Sequence, residues 1–148
     1  MSADRPATAH IHEIGVTWGD CDPAKIAYTG RLPWFALDAI NAWWETKLGY
    51  GWFQMELDHG TGTPFVRIEM DFSHPVTPRH RLLCHVWPKR LGQTSITFRV
   101  DGLQNDHLCF SGAFTSVFID AQDFTKTPPP DDMRALVERH IPRSEPSL

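Results

Sequence analysis

Residues 33–48 read PWFALDAINAWWETKL and predict a helix that is buried on more than one side. Apolar side chains at helical spacing cover more than half of its circumference, and they are Trp34, Phe35, Leu37, Ile40, Trp43, Trp44 and Leu48. So wide a stripe is typical of a helix surrounded by other elements. Pro33 suits the first turn, where a missing N–H costs little, and Gly49 suits the position just past the end.

The segments on either side of this helix predict strands. Upstream, residues 11–18 alternate apolar and polar side chains, and residues 19–23, Gly-Asp-Cys-Asp-Pro, end that strand. Downstream, residues 52–59 predict a short helical turn. Four further strands follow, the second of them broken near Pro88: 64–73, 81–89, 93–102 and 107–120. The predicted fold class is therefore α+β, an antiparallel sheet of about five strands curved around one long central helix.

The chain is short enough for a single domain, because domains commonly contain about 100–200 residues. Residues 1–10 are polar and read as a flexible leader. The predicted domain covers residues 11–126, and residues 127–148 hold a proline-stiffened linker and a short C-terminal helix.

Composition excludes several classes of function. The net charge is −4 and no run of lysine and arginine exceeds two residues, so a nucleic-acid surface is not expected. No stretch approaches the roughly 20 apolar residues of a membrane span, and the polar residues 1–12 lack the apolar core of a signal peptide, so secretion is not expected. The three cysteines lack a CxxC spacing, which favours reduced thiols in a cytoplasmic protein. His10 and His12 stand in no metal-binding motif, so neither a metal nor a cofactor is expected.

The segment from Val16 to Ala24, Val-Thr-Trp-Gly-Asp-Cys-Asp-Pro-Ala, closely resembles the start of the 4-hydroxybenzoyl-CoA thioesterase family. Weaker likeness lies in Gly62-Thr63-Pro64 and in the turn and strand of residues 90–98. The resemblance covers residues 11–120 and implies a hotdog fold. In that family the aspartate before Pro-Ala is the catalytic carboxylate, which implies this role for Asp22.

The chemistry of a thioesterase requires a carboxylate and a site for the oxyanion. A helix N-terminus offers unpaired amides that stabilise the oxyanion as it forms. The resemblance implies that the amide of Tyr28, Thr29 or Gly30 faces the thioester carbonyl. Asp22 would either attack that carbonyl, giving a mixed anhydride, or act as general base for water.

Two neighbours of Asp22 are rival catalytic residues. Asp20 falls on the same face of an extended segment as Asp22, and we interpret it as structural because the family's carboxylate precedes Pro-Ala. Cys21 is a potential nucleophile, but no histidine stands at a diagnostic offset and cysteines are often buried and inert.

The resemblance also implies where the substrate binds. Arg90, Thr94 and Ser95 belong to the turn expected beside the nucleotide of coenzyme A. His74 is a candidate for contact with phosphates or polar acyl groups, although a solvated turn is the simpler interpretation. The resemblance further implies that Asp22 of one chain faces strand residues of a neighbouring chain, and Phe72 and the 64–74 strand are candidates for that opposing wall.

The expected activity is hydrolysis of an acyl-CoA to a free acid and coenzyme A, and the aromatic-rich sequence would suit aryl or medium aliphatic acyl groups. Two alternatives are an acyl carrier protein thioesterase and a non-catalytic acyl-CoA binding module. Hotdog proteins have exposed sheet edges and sites lined by two subunits. The resemblance therefore implies a homodimer or a homotetramer.

Overall fold

The computed structural model describes residues 5–143 and has an α+β architecture. Its helices and strands are, in chain order, β1 (His10–Ile14), α1 (Leu32–Lys47), α2 (Trp52–His59), β2 (Thr61–Gly62), β3 (Phe65–Phe72), β4 (Leu82–Leu91), β5 (Ser95–Gln104), β6 (His107–Val117), β7 (Ile119–Asp120) and α3 (Asp131–His140). Five strands form one antiparallel sheet in the order β1-β4-β5-β6-β3, and β2 pairs separately with β7. The predicted fold class, a sheet of about five strands around one long helix, is confirmed.

The middle of α1 is the centre of the hydrophobic core. Trp43 and Trp44 are each 1% exposed, and the ring of Trp43 meets those of Trp44 and Phe98 edge to face at 5.1 Å between centroids. Such aromatic pairs each add about 0.5–1.5 kcal/mol beyond the burial of their area. Trp34, in the first turn of α1, is 62% exposed. The buried stripe predicted for this helix therefore does not include its N-terminal tryptophan.

The strand predicted to break near Pro88 continues to Leu91. Pro88 faces Phe98 on β5 and Arg90 faces Thr97, so Lys89 is an extra residue in β4 at this point. The predicted break is wrong because a β-bulge accommodates the proline within the ladder.

The first strand is shorter than predicted and ends at Ile14. A 3₁₀ turn, Trp18–Asp20, follows, and the amide of Thr17 donates to the carboxylate of Asp20 at 2.8 Å. This local side-chain bond competes with extension of the strand.

The two ends of the sheet carry different loops. At one end, called here the loop end, β3 finishes at Phe72 and β4 begins at Leu82. At the other, called the turn end, residues 92–94 join β4 to β5. The start of β3 also lies at the turn end, because Pro64 accepts the amide of Val117, the residue that pairs with Ser95. The length of β4, at about 3.3 Å per residue, separates the two ends by about 30 Å.

The C-terminal helix packs on the same core as the sheet. Met133 is 2% and Val137 0% exposed, and Arg134 donates to the carbonyls of Gly92 and Gln93 at 3.0 and 2.8 Å. Thus α3 holds the β4–β5 turn in place. Within residues 5–143 no helix is long and apolar enough to cross a membrane.

Candidate active site

Residues 20–28, between β1 and α1, form a narrow loop whose two sides are joined by backbone hydrogen bonds. The amide of Tyr28 donates to the carbonyl of Asp20 at 2.9 Å, and the amide of Asp22 donates to the carbonyl of Ile26 at 3.1 Å. The loop turns at Lys25, whose φ of +66° lies in the left-handed region. This backbone fixes the position of Asp22 relative to the residues that lead into α1.

Asp22 is half-buried on this loop and keeps one carboxylate oxygen open. Its Oδ1 accepts the amide of Ala24 at 2.8 Å, an ordinary side-chain contact of a turn. Among the described residues nothing donates a hydrogen bond to its Oδ2. The turn contact therefore leaves part of this carboxylate available to a ligand.

The open amides at the start of α1 belong to Thr29 and Gly30. The amide of Tyr28, one of the three expected donors, is already bonded to Asp20, so the structure contradicts its use as the oxyanion donor. No acceptor for the amides of Thr29 and Gly30 lies within residues 5–143. The ring of Tyr28 lies so close to Gly30 that a Cβ there would be 2.5 Å from ring Cε2, so a larger residue would require the exposed Tyr28 ring to shift.

A cleft of about 320 Å³ opens beside these amides at the loop end of the sheet. Its lining brings together three of the residues expected from the sequence, Thr29, Phe72 and His74. Asp22 is not part of this lining, but its hydrogen-bond partner Ile26 is. Phe72 is 50% exposed, so the cleft has an open apolar rim.

His74 is shared between this cleft and a smaller one of about 280 Å³ at the same end of the sheet. Its ring stacks on that of His107, with centroids 5.0 Å apart and an interplanar angle of 14°. Arg79 and His80 also line the smaller cleft. The pair of rings therefore forms a polar border to the apolar cleft.

The three residues expected beside the nucleotide lie at the turn end, about 30 Å from the cleft. Arg90 is exposed, whereas Thr94 and Ser95 are half-buried. The structure therefore does not bring these residues together with Asp22 and Thr29 within one chain.

One arginine beside the loop was not singled out from the sequence. Arg31 donates through Nε to Oδ1 of Asp20 at 2.8 Å, and its guanidinium lies 5.1 Å from the ring centroid of Trp34. Arg31 lies eleven positions after Asp20 in the sequence, and no motif or periodicity signals their contact. Trp18 and Tyr28, also beside the loop, are 77% and 59% exposed.

The comparison with protein families places this loop and helix in a known group. The model described as Thioesterase-like superfamily matches residues 16–137, which include the loop, α1 and every strand of the sheet except β1. The chain belongs to this superfamily. Its fold is the hotdog fold, as the resemblance of residues 16–24 implied.

Solved structures agree with this assignment. A thioesterase superfamily protein from Jannaschia sp. CCS1 is 61% identical, with a TM-score of 0.93 over 97% of this chain and 100% of that one. A DHNA-CoA thioesterase from Staphylococcus aureus is 15% identical, with a TM-score of 0.79 over 87% and 88% of the two chains. A 1,4-dihydroxy-2-naphthoyl-CoA thioesterase from Synechocystis is 18% identical, with a TM-score of 0.77 over 86% and 93%. The last two share the fold alone, and no curated protein matches the chain.

Proposed function

We propose that this protein hydrolyses an acyl-CoA thioester to a free acid and coenzyme A. The observation that carries the proposal is the half-buried Asp22 with an open Oδ2, on a loop tied to a helix start whose Thr29 and Gly30 amides are unpartnered. A carboxylate and unpaired amides at one helix N-terminus are the two groups that thioester cleavage needs. Membership of the Thioesterase-like superfamily supports the same chemistry.

In the proposed mechanism the thioester carbonyl docks with its oxygen on the amides of Thr29 or Gly30. Negative charge grows on that oxygen as the carbonyl is attacked, so the amides stabilise the transition state more than the bound substrate. Asp22 either attacks the carbonyl carbon, giving an anhydride that water then hydrolyses, or removes a proton from an attacking water. In both routes the C–S bond breaks, the thiolate of coenzyme A leaves, and the acyl group departs as a carboxylate.

The acyl group would lie in the cleft at the loop end, against Phe72 and His74. Most of the other cleft residues are apolar, among them Ile26, Leu32 and Val76. Such a wall suits an aromatic or medium-length aliphatic acyl group.

The open edge of the sheet supports a homodimer. Among the described residues β3 pairs only with β6, and its exposed apolar side chains include Ile68 at 45% and Val66 at 61%. An open, apolar edge strand is a template for pairing with another strand. A second copy related by two-fold symmetry would pair its own β3 antiparallel to this one.

Such a dimer would join the two separated parts of the proposed site. Antiparallel pairing sets the start of one β3 against the end of the other, so the turn end of the partner meets the loop end of the first chain. Arg90, Thr94 and Ser95 of the partner subunit would then lie on the side of Thr29 and Phe72. We propose that they contact the nucleotide of coenzyme A, with the Arg90 guanidinium on phosphate.

Substitution of Asp22→Asn, assayed against benzoyl-type, short and long acyl-CoA substrates, tests the proposal. The amide keeps the turn contact to Ala24 but can neither attack nor accept a proton, so kcat/KM is expected to fall by about 100-fold or more. Asp58→Asn, at an exposed carboxylate on α2, is the matched control and is expected to keep wild-type activity.

Three outcomes would contradict the proposal. Wild-type activity that survives in Asp22→Asn would remove the catalytic role of this residue. Turnover of acyl carrier protein thioesters alone would favour the carrier-protein enzyme. Binding of acyl-CoA without turnover by the wild type would favour the non-catalytic module.

A further inference from the structure

Asp20 is a buried carboxylate whose hydrogen bonds join the end of the first strand to the start of α1. Its side chain is 9% exposed. Oδ2 accepts both the amide of Thr17 at 2.8 Å and the Thr17 hydroxyl at 3.0 Å, and Oδ1 accepts Nε of Arg31 at 2.8 Å. Its backbone carbonyl accepts a hydrogen bond from the amide of Tyr28. One residue therefore contacts both sides of the loop that carries Asp22.

Arg31 is the other half of this connection. It is the last residue of the Thr29–Arg31 turn and directly precedes α1 at Leu32. Its side chain is 39% exposed, and Trp34 covers one face of the guanidinium. An ion pair that is buried on the carboxylate side and stacked on the arginine side has little freedom to move.

The contacts of Asp20 leave it no catalytic task of its own. Both carboxylate oxygens are occupied by donors, whereas Oδ2 of Asp22 is open. Burial by itself would raise the pKa of Asp20, but the hydrogen bonds from Thr17 and Arg31 together lower it below the ordinary value. Asp20 is therefore ionised and saturated with donors at neutral pH.

We propose that Asp20 and Arg31 are positioning residues, which set the distance between the Asp22 carboxylate and the open amides of Thr29 and Gly30. The proposal rests on the function given above. Asp20 contacts this segment at two points, the Tyr28 amide and the Arg31 side chain. The amides of Thr29 and Gly30 lie between these two points in the sequence. Displacing a reacting group by about 1 Å can cost about 100-fold in rate.

Single and double substitutions test this role. Asp20→Asn and Arg31→Gln each break the ion pair, and each is expected to lower kcat by about 10- to 100-fold while KM changes less than about threefold. The double variant is expected to be no slower than the worse single variant, because both changes remove the same contact. Glu13→Gln, which breaks the exposed Arg81–Glu13 pair at 3.2 Å, is the matched control and is expected to leave kcat unchanged.

The pH profile separates positioning from direct catalysis. The residual activity of Asp20→Asn is expected to keep the acid side of the wild-type pH–rate profile, because another carboxylate still titrates. If Asp20→Asn lost the acid side of the pH–rate profile, Asp20 itself would be the base and the proposal would be overturned. A rise in KM with an unchanged kcat, or fully additive effects in the double variant, would overturn it as well.

Hydrogen exchange measures the positioning without reference to activity. The hydrogen-bonded amides of Tyr28 and Arg31 are expected to exchange at least about tenfold faster in Arg31→Gln than in the wild type, and unchanged exchange would overturn the proposal. This result stands even if the wild type cleaves no thioester, which would refute the proposed function alone. If Asp20→Asn does not fold, Thr17→Val removes one hydroxyl donor to Asp20 and is expected to give a smaller change in the same direction.

Discussion

Two aspartates separated by a single residue have different surroundings, and the roles proposed for them rest on this difference. Asp20 is buried and receives donors on both oxygens, whereas Asp22 is half-buried and, within residues 5–143, receives only the amide of Ala24. A carboxylate saturated with donors is a weak nucleophile and a weak base. The contacts therefore favour Asp22 as the catalytic carboxylate, which is also the residue that the Pro-Ala motif indicates.

The environment of Asp20 makes a prediction about stability in acid. The pKa of this carboxyl is lower in the folded protein than its ordinary value of 3.8, so its contribution to stability is fully present above that value. The contribution is lost as pH falls from 3.8 through the folded pKa. We therefore expect Asp20→Asn to be less stable than the wild type at neutral pH, with the difference shrinking in acid.

Urea unfolding at about pH 7 and about pH 3 measures this difference. Glu13→Gln serves as the control for loss of an exposed ion pair and should show little change at either pH. A stability difference between Asp20→Asn and the wild type that is the same at both pH values would contradict the prediction.

The three thiols are expected to differ in reactivity. Burial raises the pKa of both Cys84 and Cys109, so neither forms the reactive thiolate at neutral pH. Cys21 is half-exposed, and its Sγ lies 3.6 Å from the carbonyl of Thr17. A chromogenic disulfide reagent should label only Cys21 in the native protein and all three cysteines in denaturant.

Activity of Cys21→Ser completes this test. Because Asp22 is the proposed catalytic residue, the serine variant is expected to hydrolyse acyl-CoA within about threefold of the wild-type kcat. A loss as large as that in Asp22→Asn would make Cys21 the nucleophile.

Among the elements, the edge strand β3 is the contact through which the proposed dimer would form. Ile68 lies near its middle and is 45% exposed. A lysine on an edge strand opposes pairing because its charge would have to be desolvated. We expect Ile68→Lys to convert the proposed dimer to a monomer, as measured by light scattering coupled to size exclusion.

A second exposed apolar residue provides the control for this substitution. Ile11→Lys, on β1 at the opposite edge of the sheet and 50% exposed, should leave the proposed β3 dimer unchanged. A wild-type protein that is monomeric, or an Ile68→Lys protein with unaltered mass, would contradict pairing through β3.

Local patterns in the sequence predicted the elements better than their junctions. The bounds predicted for α1 are within a residue of the observed ones, because the apolar stripe, Pro33 and Gly49 are all local signals. The short C-terminal helix predicted within residues 127–148 is α3. The bulge in β4 and the 3₁₀ turn before Asp22 were missed. The bulge depends on pairing with another strand, and the turn depends on hydrogen bonds of the Asp20 side chain. Neither contact can be inferred from the pattern of residues along a single segment.

The candidate site was predictable only in part for the same reason. The motif selected Asp22, and the three-residue window at Tyr28, Thr29 and Gly30 contained the open amides. The Tyr28 amide is not among the open ones, because it donates a hydrogen bond to the carbonyl of Asp20. That bond forms only in the folded loop, so the sequence pattern does not reveal it. Spacing along the chain also gave no sign that Arg90 and Ser95 lie at the opposite end of the sheet.

For the whole molecule, this separation means that the site proposed above would need residues from two chains. Thr29 and the cleft lie at the loop end, and the proposed nucleotide contacts lie about 30 Å away at the turn end. A dimer paired through β3 would have two sites, each built from the loop of one chain and the turn of the other. Two substitutions carried by different chains would then fall in the same site or in different sites. Which of these occurs depends on whether each substitution alters the loop or the turn.

Mixing two impaired variants, assayed at a substrate concentration below the wild-type KM, tests this arrangement directly. Arg90→Glu is expected to raise KM at least about tenfold, because it replaces a phosphate contact with a like charge. In a mixed dimer of Asp22→Asn with Arg90→Glu, one site carries both lesions and the other carries neither. Random exchange of subunits makes half of the dimers mixed, so about a quarter of wild-type activity should return.

A mixture of Asp22→Asn with Asp20→Asn is the matched control, because both changes lie in the same loop. Each site of that mixed dimer still carries one lesion, so no activity beyond that of the parents should appear. Activity in the first mixture that merely equals the sum of its parents would mean that each chain holds a complete site. A normal KM in Arg90→Glu alone would instead show that the β4–β5 turn does not contact the nucleotide. The Ile68→Lys variant would then be the remaining test of the dimer.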